Sequence, residues 1–359
     1  MKSLVSYSRV SGVGKYRVRT ILSIAVFWTV IDAVAIILLK TGNTRSPFQS
    51  LALRETAVFL MSLVMGYLFV YTLKNVLRKK SAFVNFIFKS VVLLAAAFLM
   101  NFLVHYVDMV LISGKGTGRA FDFFASEFSD TRVLIQKILY WLILFVITQL
   151  YIEINEKYSP GVFLDIILGK YMQPKVEKCI VMFIDLKDST TIAEKLGHEE
   201  NFKFIRDFIY HVSLALIEHG GRIYQYVGDE IVVSWRFDTK KKNIRCCMAS
   251  IIEARRNLQR SGEEFRRRYN ITPEFRVGIH MGDVTIGEIG VIKKDLAMSG
   301  DTMNTTARIR SACTELTQKF IMSKDFMENS ELTQWQGESL GVVDLKGKAS
   351  GIELFSLKI

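Results

Sequence analysis

The sequence is poor in cysteine and proline, with 4 of each among 359 residues. The cysteines are Cys179, Cys246, Cys247 and Cys313, and no two of them have the C-x-x-C spacing. This argues against a scaffold held by disulfides and against a structural zinc site. We expect free thiols in a reducing compartment.

Signals of several other function classes are also missing. The net charge is +12, but no basic stripe interleaved with aromatic residues occurs, so nucleic acid is not an expected partner. The glycines of 114–118 lack the spacing of a phosphate-binding loop, and His198 lacks the H-E-x-x-H spacing of a zinc protease. A hydrophobic content of 50% excludes a disordered chain, and the length favours two units.

Long apolar runs dominate the first half of the chain. They cover residues 21–39, 57–73, 83–112 and 133–152. A helix needs about 20 mainly apolar residues to span a bilayer, whereas helices of a soluble core keep a polar face. The sequence therefore predicts an α-helical membrane domain of about four spans over 21–152, with five or six spans as the alternative.

Basic residues are distributed unevenly around these runs. Segment 1–20 carries five and 74–82 carries four, against three in 40–56 and three in 113–132. Because cytoplasmic loops are richer in Lys and Arg, the basic N-terminus (1–20) is predicted to be cytoplasmic. Four spans then return the second half to the cytoplasm, as in a multi-pass protein of the inner or plasma membrane.

Five ionisable residues fall in or near the predicted spans: Asp32, Lys89, His105, Asp108 and Lys137. Such residues are functional candidates by default. The alternative is that several lie near helix ends and extend towards the interface, with Asp32 paired to Lys137 or Lys89.

Residues 153–177 are predicted to link the membrane domain to the second half. The helix-breaking sequence at 159–161 is followed by apolar residues at helical spacing in 162–167, and then by Pro174. This pattern predicts a short amphipathic coupling helix.

The second half has the pattern of an α/β domain, with acids where strands end. A buried-type strand at 180–184 ends in Asp185, and a turn carrying Asp229 joins strands at 222–226 and 231–235. Pairing of these strands would bring the two carboxylates together, where divalent cations bound with substrate phosphates would relieve their repulsion. The alternative is an unrelated turn acid and a helix-capping acid.

The distal part adds cationic and amide side chains. Residues 275–284 are predicted to form a strand and turn, followed by a glycine-rich strand to Gly290. Asn304 and Arg308 lie on one helix face, and an arginine beside a phosphoryl group can stabilise transition-state charge. Lys346, in a strand-turn, can hold phosphates.

Together, four segments of residues 178–359 resemble the catalytic domain of class III nucleotidyl cyclases, the adenylate and guanylate cyclases. They are 183–190, 227–230, 304–308 and 345–348. The resemblance implies a ferredoxin-like α/β domain that dimerises head to tail. It also implies two Mg²⁺ or Mn²⁺ ions per site, with metal acids from one subunit and Asn, Arg and Lys from the other.

The resemblance also implies roles for individual residues. Asp185, Asp229 and the Leu186 carbonyl would hold the metals, and Thr190 would contact the substrate. Asn304 would orient the ribose, Arg308 would act on the α-phosphate, and Lys346 would hold the β- and γ-phosphates.

The sequence departs from the family pattern in four places. Gln225 and Ala297 stand where adenylate cyclases have an adenine-reading Lys and Asp, and where guanylate cyclases usually have Glu and Cys. The family's pyrophosphate-side Arg falls near Lys293, and Asp188-Ser189 replaces the usual Gly-Phe. Because a Gln amide can pair with the adenine edge, ATP is the expected substrate; flipped, the amide could read guanine.

The sequence thus predicts a membrane-bound, homodimeric adenylate cyclase that forms 3′,5′-cyclic AMP and pyrophosphate from ATP. A guanylate cyclase, a diguanylate cyclase and a catalytically silent membrane receptor or scaffold are the alternatives. A diguanylate cyclase would share the Gly228-Asp229-Glu230 turn but would not require Asn304 and Arg308.

Overall fold

A computed structural model of the protein describes residues 12–39, 48–73, 81–112, 114, 116–118, 122, 125, 129–157, 168–292, 294–330, 337–348 and 350–358. The predicted coupling helix at 162–167 and Lys293 lie outside these residues. The chain divides into two compact units, Gly14–Lys157 and one that contains Tyr158–Ile359.

The first unit is helical. Its long helices are α1 (Gly12–Leu39), α2 (Phe48–Tyr67), α3 (Ala82–Val107) and α4 (Thr131–Lys157). A π-helical turn extends α2 over Leu68–Thr72, and another extends α3 over Asp108–Ile112. Within the described residues, four helical segments are long and apolar enough to span a membrane: Arg17–Ile37, Leu51–Thr72, Phe83–Val110 and Thr131–Ile154.

An ion pair with a buried acid joins the first two of these helices, α1 and α2. Asp32 is fully buried and accepts hydrogen bonds from Arg54 Nε (2.9 Å) and Nη2 (3.1 Å). Tyr140 Oη of α4 donates to the same carboxylate over 2.9 Å. The predicted pairing of Asp32 with Lys137 or Lys89 is therefore wrong. Because α2 begins at Phe48, Arg54 belongs to a helix rather than to a loop, and it reaches the acid bidentately.

The second unit alternates strands and helices. Its strands are β1 (Lys175–Leu186), β2 (Arg222–Val227), β3 (Glu230–Arg236), β4 (Phe275–Ile289), β5 (Asp295–Ser299), β6 (Phe320–Ser323), β7 (Gly337–Val343) and β8 (Ile352–Leu357). Its helices are α5 (Ser189–Glu218), α6 (Lys242–Arg260), α7 (Gly262–Tyr269), α8 (Asp301–Glu315) and α9 (Lys324–Asn329). The described strands form one sheet in the order β2-β3-β1-β4-β6-β8-β7, with β5 paired to β4.

Strand β1 lies between β3 and β4, antiparallel to both, and both of its faces are covered. Ile180, Met182 and Ile184 pack with buried residues of α5 and α6. Val181 and Phe183 pack on the opposite face with Met303 of α8. Covering on both faces explains the unbroken apolar run of this strand. By the same alternation, Asp185 lies on the α8 face.

The turn predicted within 275–284 is wrong, because β4 runs unbroken from Phe275 to Ile289. Its glycines serve close packing instead. A Cβ at Gly282 would lie 2.5 Å from Thr302 Oγ1, which donates to the Asp283 carbonyl over 2.7 Å. Glycine here lets α8 approach the strand.

Gly278 allows a still closer approach of α8. A Cβ at this position would lie 2.4 Å from the backbone nitrogen of Arg310. We expect Gly278→Ala to destabilise the second unit by about 1–3 kcal/mol, because the helix backbone must move. Gly262→Ala is the matched control, since nothing lies within 4 Å of its added Cβ. Thermal unfolding of both variants tests this, and equal melting temperatures would contradict it.

Candidate functional site

Two acids meet at one end of the central strands. Asp185 is the penultimate residue of β1, and Asp229 lies in the turn between β2 and β3. Gly228 adopts φ +62°, the left-handed conformation that glycine accepts most readily, and so permits this tight turn. Since β1 pairs with β3, with Ile184 opposite Ile231, the turn is held beside the end of β1, as the sequence predicted.

Burial raises the pKa of Asp185 to about 6, against the opposing effect of Arg310. The neighbouring carboxylates of Asp229 and Glu230 raise it further. Burial also raises the pKa of Glu230, and again Arg310 opposes the rise. The site thus concentrates negative charge in a partly desolvated place.

The donor set fits a hard divalent cation. The Oδ2 atom of Asp229 is buried and has no hydrogen-bond partner. Two carboxylates and the Leu186 carbonyl are oxygen ligands of the kind that Mg²⁺ and Mn²⁺ accept. Within the described residues, no group of three or more His, Cys, Asp or Glu side chains is arranged to hold a metal ion. Two carboxylates leave coordination positions open, and Mg²⁺ commonly fills such positions with substrate phosphates and water.

Sequence reasoning missed two members of this cluster, Glu230 and Arg310. Arg310 Nη2 lies 2.6 Å from Glu230 Oε2, and its Nη1 lies 3.4 Å from Asp185 Oδ2. The sequence signal that could have found Arg310 was its spacing from Arg308 on one helix. Residues two apart on a helix point about 200° apart, so Arg310 faces away from Arg308.

A second group lies on the other side of α8. Arg308 Nη1 donates to the Gly347 carbonyl over 3.4 Å, in the turn that also carries the exposed Lys346. Asn304, one helical turn before Arg308, is exposed. The structure therefore brings Asn304, Arg308 and the Lys346 turn together, as one set. Since Arg310 of the same helix contacts Asp185, this set points away from the chain's own acids.

Three further predicted substrate residues lie on other elements of the second unit. Gln225 is exposed on β2, and Ala297 is half-buried on β5. Thr190 is exposed in the first turn of α5. Just before this helix, Asp188 adopts φ +60°, which Asp tolerates better than most residues and which explains how it can replace the family's usual glycine.

Residues 171–358 match the family model described as the adenylate and guanylate cyclase catalytic domain. Over 209 residues the chain is 29% identical to adenylate cyclase 2 of Rhizobium meliloti, covering 57% of each protein. It is 25% identical over 218 residues to an adenylate cyclase of Anabaena cylindrica, covering 56% of this chain and 42% of the relative. The chain thus spans about half the length of these relatives.

The fold also matches a solved structure of a bacterial light-regulated adenylyl cyclase. The TM-score is 0.53 at 19% identity, over 64% of this chain and 66% of that one. The mixed sheet with its flanking helices is therefore that of cyclase structures, as the sequence resemblance implied.

Proposed function

Because the chain belongs to the adenylate and guanylate cyclase family, we propose that it is a membrane-bound adenylate cyclase that converts ATP to 3′,5′-cyclic AMP and pyrophosphate. One observation carries this proposal. Asp185 and Asp229 converge at a site with a buried, unpartnered carboxylate oxygen, and the same chain presents Asn304 and Arg308 on a separate face. The cyclisation needs both groups: acids that hold divalent cations, and an arginine that stabilises charge on the phosphate.

Asp185, Asp229 and the Leu186 carbonyl would hold two Mg²⁺ or Mn²⁺ ions. When bound, such ions neutralise the triphosphate and acidify the ribose 3′-hydroxyl. The start of α5, beside Thr190, has no side-chain cap, and peptide N–H groups at a helix N-terminus suit phosphates. Arg308 stabilises charge that develops on the α-phosphate, and Asn304 orients the ribose.

The cationic residues outside α8 complete the phosphate site in this proposal. Lys346 is exposed in its turn and can reach the β- and γ-phosphates as a point charge. Lys293 is proposed to contact the pyrophosphate side, where the family has an arginine.

We propose that the working enzyme is a homodimer with composite sites. Arg308 is held at Gly347, on the face of α8 opposite Arg310, while Arg310 contacts Asp185. Arg308 therefore cannot act on a nucleotide bound at its own chain's acids without a large rearrangement. A second copy placed head to tail supplies Asn304, Arg308 and Lys346 without one.

The four long apolar helices support an anchor in the inner or plasma membrane. The density of basic residues favours a cytoplasmic N-terminus and a cytoplasmic catalytic unit. The lipid bilayer is thus a proposed partner, alongside ATP and a second copy of the chain.

The alternative within the family is a guanylate cyclase, because neither base-reading position has its usual residue. Gln225 can present a donor and an acceptor to adenine, whereas Ala297 offers no polar partner. We expect the enzyme to prefer ATP. Because one contact to the base is missing, the ratio of kcat/KM for ATP to kcat/KM for GTP should be about tenfold to a hundredfold lower than in an enzyme with both contacts. Gln225→Lys with Ala297→Asp should raise this preference, and Gln225→Glu with Ala297→Cys should move it towards GTP.

The experiment uses the purified full chain with Mn²⁺ and either ATP or GTP. Products are identified by mass spectrometry, and kcat/KM is measured for both nucleotides. Cyclic AMP as the main product supports the proposal. A tenfold or greater preference for GTP would make the protein a guanylate cyclase, and absence of both cyclic nucleotides would favour a silent receptor or scaffold.

A further inference from the structure

Arg310 lies between two carboxylates of the acidic cluster. The Arg310 side chain is 27% exposed, Asp185 is 19% exposed and Glu230 is 13% exposed. The guanidinium therefore supplies a cation inside the cluster, close to where a divalent ion would neutralise Asp185. Nothing in the resemblance assigns a role to Arg310 or to Glu230.

The helix that carries Arg310 cannot easily move. The Arg310 backbone packs so closely on Gly278 that a Cβ there would lie 2.4 Å from its nitrogen and 2.8 Å from its Cα. The base of the side chain is thus held against β4. Any movement of the guanidinium away from Asp185 must come from rotation of the side chain itself.

The two contacts of the guanidinium are unequal. The Nη2–Glu230 Oε2 distance of 2.6 Å is that of a close ion pair, whereas the Nη1–Asp185 Oδ2 distance of 3.4 Å is longer. The contact with Asp185 has hydrogen-bond geometry but is long. Because Coulombic attraction grows as two charges approach, the ion pair with Glu230 is the stronger of the two contacts. Glu230 is therefore the anchor of Arg310, and the contact with Asp185 is the one that can be exchanged.

We propose that Arg310 is an internal competitor of the divalent cation at Asp185, and that Glu230 holds the guanidinium aside when the cation binds. This inference rests on the proposed metal site. It makes Arg310 and Glu230 positioning residues that set cation affinity in opposite directions. Glu230 acts through Arg310, so its effect requires the arginine to be present.

The test measures Mn²⁺ binding to the full chain without nucleotide, from the electron paramagnetic resonance signal of free Mn²⁺. Arg310→Gln should bind Mn²⁺ about tenfold or more tightly than wild type, since an adjacent arginine changes the proton affinity of a carboxylate by that much. Glu230→Gln should bind more weakly than wild type. The double variant should match Arg310→Gln alone.

Arg276→Gln is the matched control. Arg276 lies opposite Asp185 in the ladder between β1 and β4, but its guanidinium contacts Asp188, at 3.7 Å. This variant removes the same charge nearby without removing the competitor, and we expect a smaller change. Arg310→Lys keeps the charge but offers a single ammonium in place of the fork, so its affinity should fall between wild type and Arg310→Gln.

Two results would overturn the inference: Arg310→Gln binding Mn²⁺ no more tightly than Arg276→Gln, or Glu230→Gln weakening binding equally with and without Arg310. If Arg310→Gln does not fold, the comparison of Arg310→Lys with wild type decides, and equal affinities reject the inference.

Asp185→Asn and Asp229→Asn separate this inference from the proposed metal site on which it rests. If they bind Mn²⁺ like wild type, the metal site itself is wrong. If they lose binding while Arg310→Gln is unchanged, only the competitor role fails.

Discussion

Replacing Asp185 or Asp229 with asparagine should abolish cyclisation. Each substitution keeps the side-chain shape but removes one of the two carboxylates that converge beside the end of β1. The cations that neutralise the triphosphate would lose an ionised ligand. We expect kcat/KM for ATP to fall by about a thousandfold or more, which corresponds to a loss of about 4 kcal/mol of transition-state stabilisation.

The fold should survive these substitutions. Because burial raises the pKa of Asp185 to about 6, its ionisation at pH 7 lowers the stability of the folded metal-free protein relative to the unfolded chain. Protonated Asp185 contributes its full stabilisation of the fold below the ordinary aspartate pKa. This contribution is lost as the pH rises through about 6. Asp185→Asn should therefore melt at or above the wild-type temperature at pH 7, and the difference should shrink at pH 4.

Asp283→Asn controls for the loss of a carboxylate on the same sheet. Asp283 is exposed on β4, and the hydrogen bond it accepts from Thr302 uses its backbone carbonyl. We expect this variant to keep wild-type activity. Near-normal turnover by Asp185→Asn or Asp229→Asn at saturating Mn²⁺ would refute the assignment of the metal ligands.

Two inactive variants should restore each other when they are mixed. Asp185→Asn removes an acid, and Arg308→Ala removes the arginine held at Gly347 on the other side of α8. In a mixed dimer with composite sites, one site combines both defects and the other contains neither. Equal mixing makes half of the dimers mixed, so activity should return to about a quarter of the wild-type value.

A mixture of Asp185→Asn with Asp229→Asn is the control for this experiment. Both acids of a site come from the same chain, so every site in that mixture lacks one of them, and no activity should return. The mixed dimers can be isolated with two affinity tags before the assay. Inactivity of isolated Asp185→Asn/Arg308→Ala dimers would show that the sites are not shared between subunits.

The sequence by itself determined the four long helices of the first unit, the first strands of the second unit and the acids at the ends of those strands. Four apolar runs became four long helices, because length and hydropathy are properties of contiguous residues. The apolar strand before Asp185 and the tight turn at Gly228 were also predictable, since alternation and glycine conformation are local. Pairing of β1 with β3 then sufficed to bring Asp185 and Asp229 together.

Only the tertiary structure decided which charged groups meet across elements. Asp32 pairs with Arg54 because α2 begins earlier than its apolar run suggests, so a residue expected in a loop lies on a helix. The turn predicted within 275–284 is continuous strand. Glycine also occurs where a helix packs closely on a strand, as at Gly282, and a sequence does not distinguish this use from a turn. Arg310 joins Asp185 and Glu230 through the packing of α8 on β4 at Gly278. These contacts join side chains that are distant in the chain, and no local sequence pattern predicts such contacts.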